Sequence, residues 1–383
     1  MSGSPHGLDR VAFVLTVALA VSFVALPASA QRPAPGDWRE FRFDNRHTGY
    51  NRFETVLSPS NVAGLQEKWE SEAYAFEFSS PVVSNGTVYI AADSPYGVSA
   101  IDAATGTVRW SHKTVDPATS SPTVAGKLVY VGTTHGIMAL KVTTGKQLWY
   151  LHTPAVIAAA TVAHGVVYAS SNVLSAIDAA TGALLWRAPG AYFGSSPAVA
   201  KDVLYVGSER GLSAIDPTTG STIWYFETDD PVSSPAVLHG VVYFECNDGT
   251  IRALNASTGA LIWSRPLTTD GNDNSYASPA VARGVVYAAM GDGRLWALNA
   301  TTGEVRWSRQ TYASLESSPA VANGVVYVGC PGITDAVCAR RASTGALLWE
   351  FDTHWADGAF SSPAVTDGRL YYAGPEYVYA FGL

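Results

Sequence analysis

The 383-residue chain is poor in cysteine and in charge. Its three cysteines, Cys246, Cys330 and Cys338, are too few for a disulfide-dense scaffold. Charged residues make up 15% and acids outnumber bases, giving a net charge of −8. The chain therefore lacks the basic face that nucleic-acid phosphates select, and nothing in its charge attracts it to anionic lipid. The eight histidines fall in no metal-ligand spacing, and neither a Gly-x-Ser-x-Gly elbow nor a phosphate-cradling loop is present. The longest apolar run, Val11 to Leu26, has sixteen residues, short of the roughly twenty that span a membrane. Arg10 precedes it and Pro27-Ala28-Ser29-Ala30 follows it, which predicts a secretory signal over residues 1–30 cleaved near Ala30. No cysteine lies near that point to carry a lipid. The mature chain is expected in a periplasm or outside the cell.

What the chain has in abundance is one phrase, Ala-x-Asp-x-x-Thr-Gly-x-x-x-Trp. Glycines 106, 145, 182, 220, 259, 303 and 345 each follow a threonine, stand six residues after an alanine and stand four before a tryptophan. Their spacing of 37 to 44 residues is the period of a propeller, solenoid or array. Each repeat opens on a short strand, usually ending in Ser-Pro, with tyrosine eight residues later at 89, 130, 168, 205, 243, 287, 327 and 371. Turns such as Asn323-Gly324 separate β-branched runs, so each unit reads as four antiparallel strands. Asp or Asn four before the glycine is expected to accept turn amides while glycine supplies positive φ. Lys141 and Arg341 take the acid's place in two copies, whose turns should be less well held. The alanine marks a position that a neighbouring group approaches closely.

There are eight Ser-Pro/Tyr halves (Ala159-Ala160 replaces Ser-Pro in the third) but seven Thr-Gly-x-x-x-Trp halves. The last unit ends at Leu383 one strand short, and the orphan strand Leu65 to Trp69 lies at the other end of the chain. Joining them removes exposed edges. The expectation is an all-β, eight-bladed propeller of four-stranded blades, closed by the N-terminal strand, with residues 1–30 as signal, 31–58 as an N-terminal extension and 59–383 as the propeller. Cys330 and Cys338 flank an enlarged hairpin loop and align with Ser208 and Ser213 of the fourth repeat, read as facing positions within disulfide reach. Cys246 has no partner.

The repeated phrase resembles the tryptophan-docking motif of the pyrroloquinoline quinone (PQQ) repeat propellers, which include quinoprotein alcohol dehydrogenases and the outer-membrane assembly factor BamB. The resemblance covers Trp38 to Leu383 and includes Asp44-Asn-Arg-His-Thr-Gly-Tyr50 and Asn61-Val-x-x-Leu65, similar to the N-terminal lead of secreted members. It implies that Trp69, Trp110, Trp149, Trp186, Trp224, Trp263, Trp307 and Trp349 pack between blades. The dehydrogenases carry adjacent cysteines, calcium ligands and an aspartate base. This chain has no Cys-Cys pair, and no residue-by-residue match to the calcium or base positions.

One end of the propeller should collect Tyr74, Phe76, Glu77, Asp116, Tyr192, Phe193, Asp229, Asp230, Asp270, Asp273, Tyr276, Glu316, His354, Trp355, Asp357 and Phe360. Hairpin tips there add Tyr96, His135, Glu209, Asp248, Asp292 and Glu376. Acids mixed with aromatics suit a protein partner, a cation or a sugar. The bland reading of each is a turn acid on a solvated loop. Asp270-Gly-Asn-Asp-Asn274 has the start of a calcium loop without its glycine and closing glutamate. No catalytic residue, metal site or cofactor is expected. The leading expectation is a monomeric, exported binding or scaffold protein; the alternatives are a PQQ- and calcium-dependent dehydrogenase of alcohols or sugars, and an extracellular carbohydrate-binding propeller.

Overall fold

The computed structural model describes residues 36–73, 79–92, 97–190, 192, 194–268, 277–311, 317–330, 336–353, 361–374 and 376–383. Within them eight antiparallel four-strand units form an eight-bladed propeller. Blade 4 is typical, with an inner strand Ala198–Ala200, second strand Val203–Ser208, third strand Gly211–Ile215 and outer strand Thr222–Glu227. Blade 8 takes three strands from the C-terminus and its outer strand, Gln66–Ser71, from the N-terminal side. Trp69 then pairs with Ala380 as every other tryptophan of the series pairs with its alanine. Closure thus comes from backbone hydrogen bonding between sequence-distant ends.

The alanine of the repeat is explained by the cross-strand register. In blade 4, Tyr205, Ala214 and Trp224 stand side by side on three strands, and the two rings meet over the alanine with centroids 5.9 Å apart. A larger side chain would hold the rings apart. Trp224 Nε1 and Tyr205 Oη both donate to the Ala256 carbonyl of the next blade, at 3.0 Å each. Trp69, Trp110, Trp149, Trp186, Trp263, Trp307 and Trp349 likewise donate to Ala103, Val142, Ala179, Pro217, Ala300, Ala342 and Leu65. Glycine is needed for two reasons at Gly259: φ is +71°, and a Cβ would sit 2.8 Å from the Trp224 ring. Asp216 Oδ1 accepts the amides of Thr218 and Thr219 at 2.7 and 3.1 Å. At Lys141 and Arg341 there is no side-chain acceptor, and the backbone carbonyl takes the threonine and glycine amides instead, at 3.2 and 2.9 Å for Lys141 and 3.2 and 2.7 Å for Arg341.

The Ser-Ser-Pro triplets knit the inner ring. The first serine accepts an amide of its own blade's second strand, as Ser195 does from Gly207 at 2.8 Å. The second accepts the corresponding serine amide of the preceding blade: Ser196 to Ser234, Ser278 to Ser318, Ser318 to Ser362 and, across the closure, Ser362 to Ser80. Cys330 and Cys338 are disulfide-bonded with Cα atoms 5.9 Å apart, but they do not face each other. Val328 faces Cys338, just as Val206 faces Ser213 and Gly211 faces Ser208. The bridge is diagonal because the facing pairs sit two residues further back along the hairpin. Cys246 is buried and free.

Candidate functional site

The axis of the ring is filled by a segment that does not repeat. Residues 38–51 run past the blades in order, meeting each inner strand at the same position. Trp38 exchanges two backbone bonds with Val83 of blade 1 at 2.7 Å each. The amides of Val124, Val199, Val237, Val281 and Val321 donate to the carbonyls of Arg39, Asn45, Arg46, Thr48 and Gly49. Blade 3 is reached by Asn45 Nδ2 to the Val162 carbonyl, 2.7 Å, and blade 8 by Asn51 Nδ2 to the Val365 carbonyl, 2.9 Å. Tyr50–Asn51 finally pairs in parallel with inner strand Ala320–Ala322 of blade 7. Eight equivalent carbonyl and amide positions thus find one partner segment, which closes the channel from the side of the Thr-Gly turns.

This plug carries buried charge. Arg42 is 2% exposed, has φ +65°, and donates through its guanidinium to the Pro279 and Pro319 carbonyls. Burial lowers its pKa to about 9, opposed by Glu245. Glu245 breaks the repeat: the equivalent residues are Ala91, Gly132, Ser170, Gly207, Ala289, Gly329 and Ala373. His47 is 1% exposed and its Nε2 lies 3.0 Å from Thr161 Oγ1. Burial, helped by Arg42, pulls its pKa down to about 3, so it is neutral. Burial and then Asp44 raise Glu40 well above the usual carboxylate range. Beside Trp38, Phe41 and Arg42, under the ring formed by Ser80, Ser318, Pro319, Ser362 and Pro363, lies a cavity of about 10 Å³, room for one water.

The opposite end bears the non-repeating loops. Of the expected rim, Tyr74, Phe76, Glu77, Tyr96, Phe193, Asp270, Asp273, Tyr276, Glu316, His354, Trp355, Asp357 and Phe360 lie outside the described residues. Tyr192 is described and buried: its ring sits in the core with Ala163, Tyr168 and Val206. Asp229 is exposed and Asp230 half-buried. Asp248 pairs with Arg252 and accepts the Thr250 amide at 2.9 Å, and Asp292 accepts the Arg294 amide at 2.9 Å; these are turn acids. Asp116 is the best connected, with His135 Nδ1 at 2.9 Å and Tyr150 Oη at 3.2 Å. The pair is open to water, the His135 side chain being 70% exposed. No group of three or more potential metal ligands occurs among the described residues, and no described helix is long and apolar enough to cross a membrane.

The plug is the part that sequence reasoning missed. Its signal was the run of buried-type aromatics and paired charges in Trp38–Asn51, unlike an exposed leader, but the partners are scattered over the whole chain.

Among solved structures, BamB from Moraxella catarrhalis is similar, with TM-score 0.69, 19% identity, and 83% of this chain and 98% of that one covered. Quinohemoprotein alcohol dehydrogenase from Comamonas testosteroni gives 0.73, 18%, 92% and 81%, and a europium-containing methanol dehydrogenase 0.74, 16%, 91% and 89%. At such identities these likenesses concern the fold. No curated protein matches the chain in sequence. A family profile, however, matches residues 62–172, 169–318 and 310–381, nearly every blade, and the chain therefore belongs to the PQQ-like propeller family described as outer membrane protein assembly factor BamB.

Proposed function

We propose that the mature chain is an exported, non-catalytic scaffold that binds a protein partner or small polar ligand on its loop face, in the periplasm or outside the cell. The observation that carries this reading is the plug. Residues 38–51 occupy the axis with the chain's own side chains, and the buried Arg42 and His47 hydrogen-bond to the inner strands around them. The surface left for recognition is the set of loops that differ from blade to blade, on a rigid support. Kinship with a family named for an assembly factor favours a protein partner.

The dehydrogenase reading requires PQQ with calcium, and two observations favour the scaffold reading over it. The axial cavity of about 10 Å³ is lined chiefly by serine, proline and the engaged Arg42, whereas ligand pockets usually measure hundreds of Å³. The sequence also lacks the adjacent cysteines. Adding PQQ and Ca²⁺ to the purified mature protein, with dye reduction followed on alcohols and aldoses, tests the proposal. The expected result is neither saturable quinone binding nor turnover; both together would overturn it.

A further inference from the structure

The outer strands are the free edges of the eight sheets. All share a bulge before the tryptophan, a device that discourages edge pairing. Six also carry a charge inside the strand: Lys68, Arg109, Arg187, Arg265, Arg306 and Glu350. Two do not. In blade 2, Gln147–His152, one large apolar side chain of the strand, Leu148, is exposed by 48%, while Tyr150 and Leu151 are half-buried. In blade 4 the strand Thr222-Ile-Trp-Tyr-Phe-Glu227 exposes Ile223 by 51% and Tyr225 by 49%. That strand is β-prone, apolar and unguarded over the four residues between its ends.

The register says which backbone groups are free. Thr228 donates its amide inward to the Arg210 carbonyl, so by antiparallel alternation Phe226 also faces inward while Tyr225 and Glu227 present N–H and C=O outward. At this end the exposed acids Glu227, Asp229 and Glu209 gather against the single base Arg210. We propose that the blade 4 outer edge accepts an extended, basic segment of a partner protein as a fifth strand. Its backbone bonds the outward groups of Tyr225 and Glu227, its apolar side chains cover Ile223 and Tyr225, and its lysines or arginines meet the acids. The site lies on the side of the ring, so it goes beyond the loop-face reading and stands or falls separately from it.

The test uses the full mature protein and labelled peptides of sequence Lys-Lys-Val-Thr-Val-Thr-Val-Lys-Lys and its Glu-flanked counterpart, with fluorescence anisotropy at low salt. The lysine peptide should bind at least about tenfold more tightly, and hydrogen exchange should show protection at Tyr225 and Glu227. Tyr225→Lys should weaken binding at least about tenfold while Ser264→Lys, the equivalent site in guarded blade 5, leaves it unchanged. Tyr225→Pro removes an outward N–H and should act as Tyr225→Lys does; if it unfolds the blade, the lysine variant still decides. Equal binding of the two peptides, equal binding by Tyr225→Lys, or protection confined to other edges would overturn the proposal. So would self-association abolished by Tyr225→Lys, which would make a second copy the occupant.

Discussion

The seams between blades and the axis they surround are built on opposite plans. A seam is local and repeated: one alanine, one glycine, one tyrosine and one tryptophan per blade, each within about forty residues of its neighbour's copy. The axis is global and unique: fourteen residues, 38 to 51, serve all eight blades. A ring of near-identical inner strands presents the same groups around the axis, and a directional chain can meet them only with a different residue for each. Repetition therefore suffices where neighbours meet in pairs, and fails where all of them meet at once.

Removing the axis should cost most. Deleting residues 31–57 while keeping the closing strand strips at least seven backbone hydrogen bonds to the inner strands, each worth about 1 kcal/mol net, and uncovers the apolar ring. We expect a loss of more than about 5 kcal/mol, read as a collapse of the melting temperature or as aggregation on size exclusion. A deletion through Ser71 should be worse, since it also bares the edge of Val378–Gly382. If the shorter deletion melts like the mature protein, the axis is ornamental.

At a seam, Trp263→Ala should destabilise by about 3 kcal/mol through lost burial and a lost bond to Ala300, measured by denaturant unfolding. A loss as large as that of the axial deletion would erase the distinction between the two regions.

The axis has a pH signature on the acid side, whereas burial shifts the seam tyrosines such as Tyr205 and Tyr243 on the alkaline side. His47 is held near pKa 3 when folded against about 6.5 unfolded. The unfolded chain thus takes up the proton first, and stability falls as pH drops from about 6.5 towards 3, by up to about 1.4 kcal/mol per pH unit. Glu40 works the other way: raised when folded, it gives back stability as pH falls below its folded pKa. His47→Gln should flatten the acid limb of a melting-temperature profile. An unchanged profile would mean that His47 does not titrate on unfolding.

The smallest effect sharpens the account of the repeat. Lys141→Asp restores the missing turn acceptor and should stabilise by about 0.5–1 kcal/mol, while Asp216→Ala should cost about 1 kcal/mol. A destabilising Lys141→Asp would mean that the lysine has a role of its own.

Sequence alone determined the blade and the ring. Gly220 and Trp224 act through contacts that the copies repeat, and Asp216 through a turn that most of them repeat, so their spacing carries the information; the missing eighth copy placed the closing strand at Leu65 to Trp69, where the structure has Gln66–Ser71. The pairing of Cys330 with Cys338 was also in reach, though not its diagonal register, because facing partners depend on where each hairpin turns. Only the tertiary structure decided the plug. Arg42 is an ordinary surface residue until Pro279 and Pro319, more than two hundred residues away, close around it; Glu245 is buried beside it, and His47 is buried and neutral, only when the ring is complete. Likewise Tyr192 read as a rim aromatic and folds into the core. Periodicity records what each neighbour does to the next, whereas the occupant of a symmetry axis is set by all of them together.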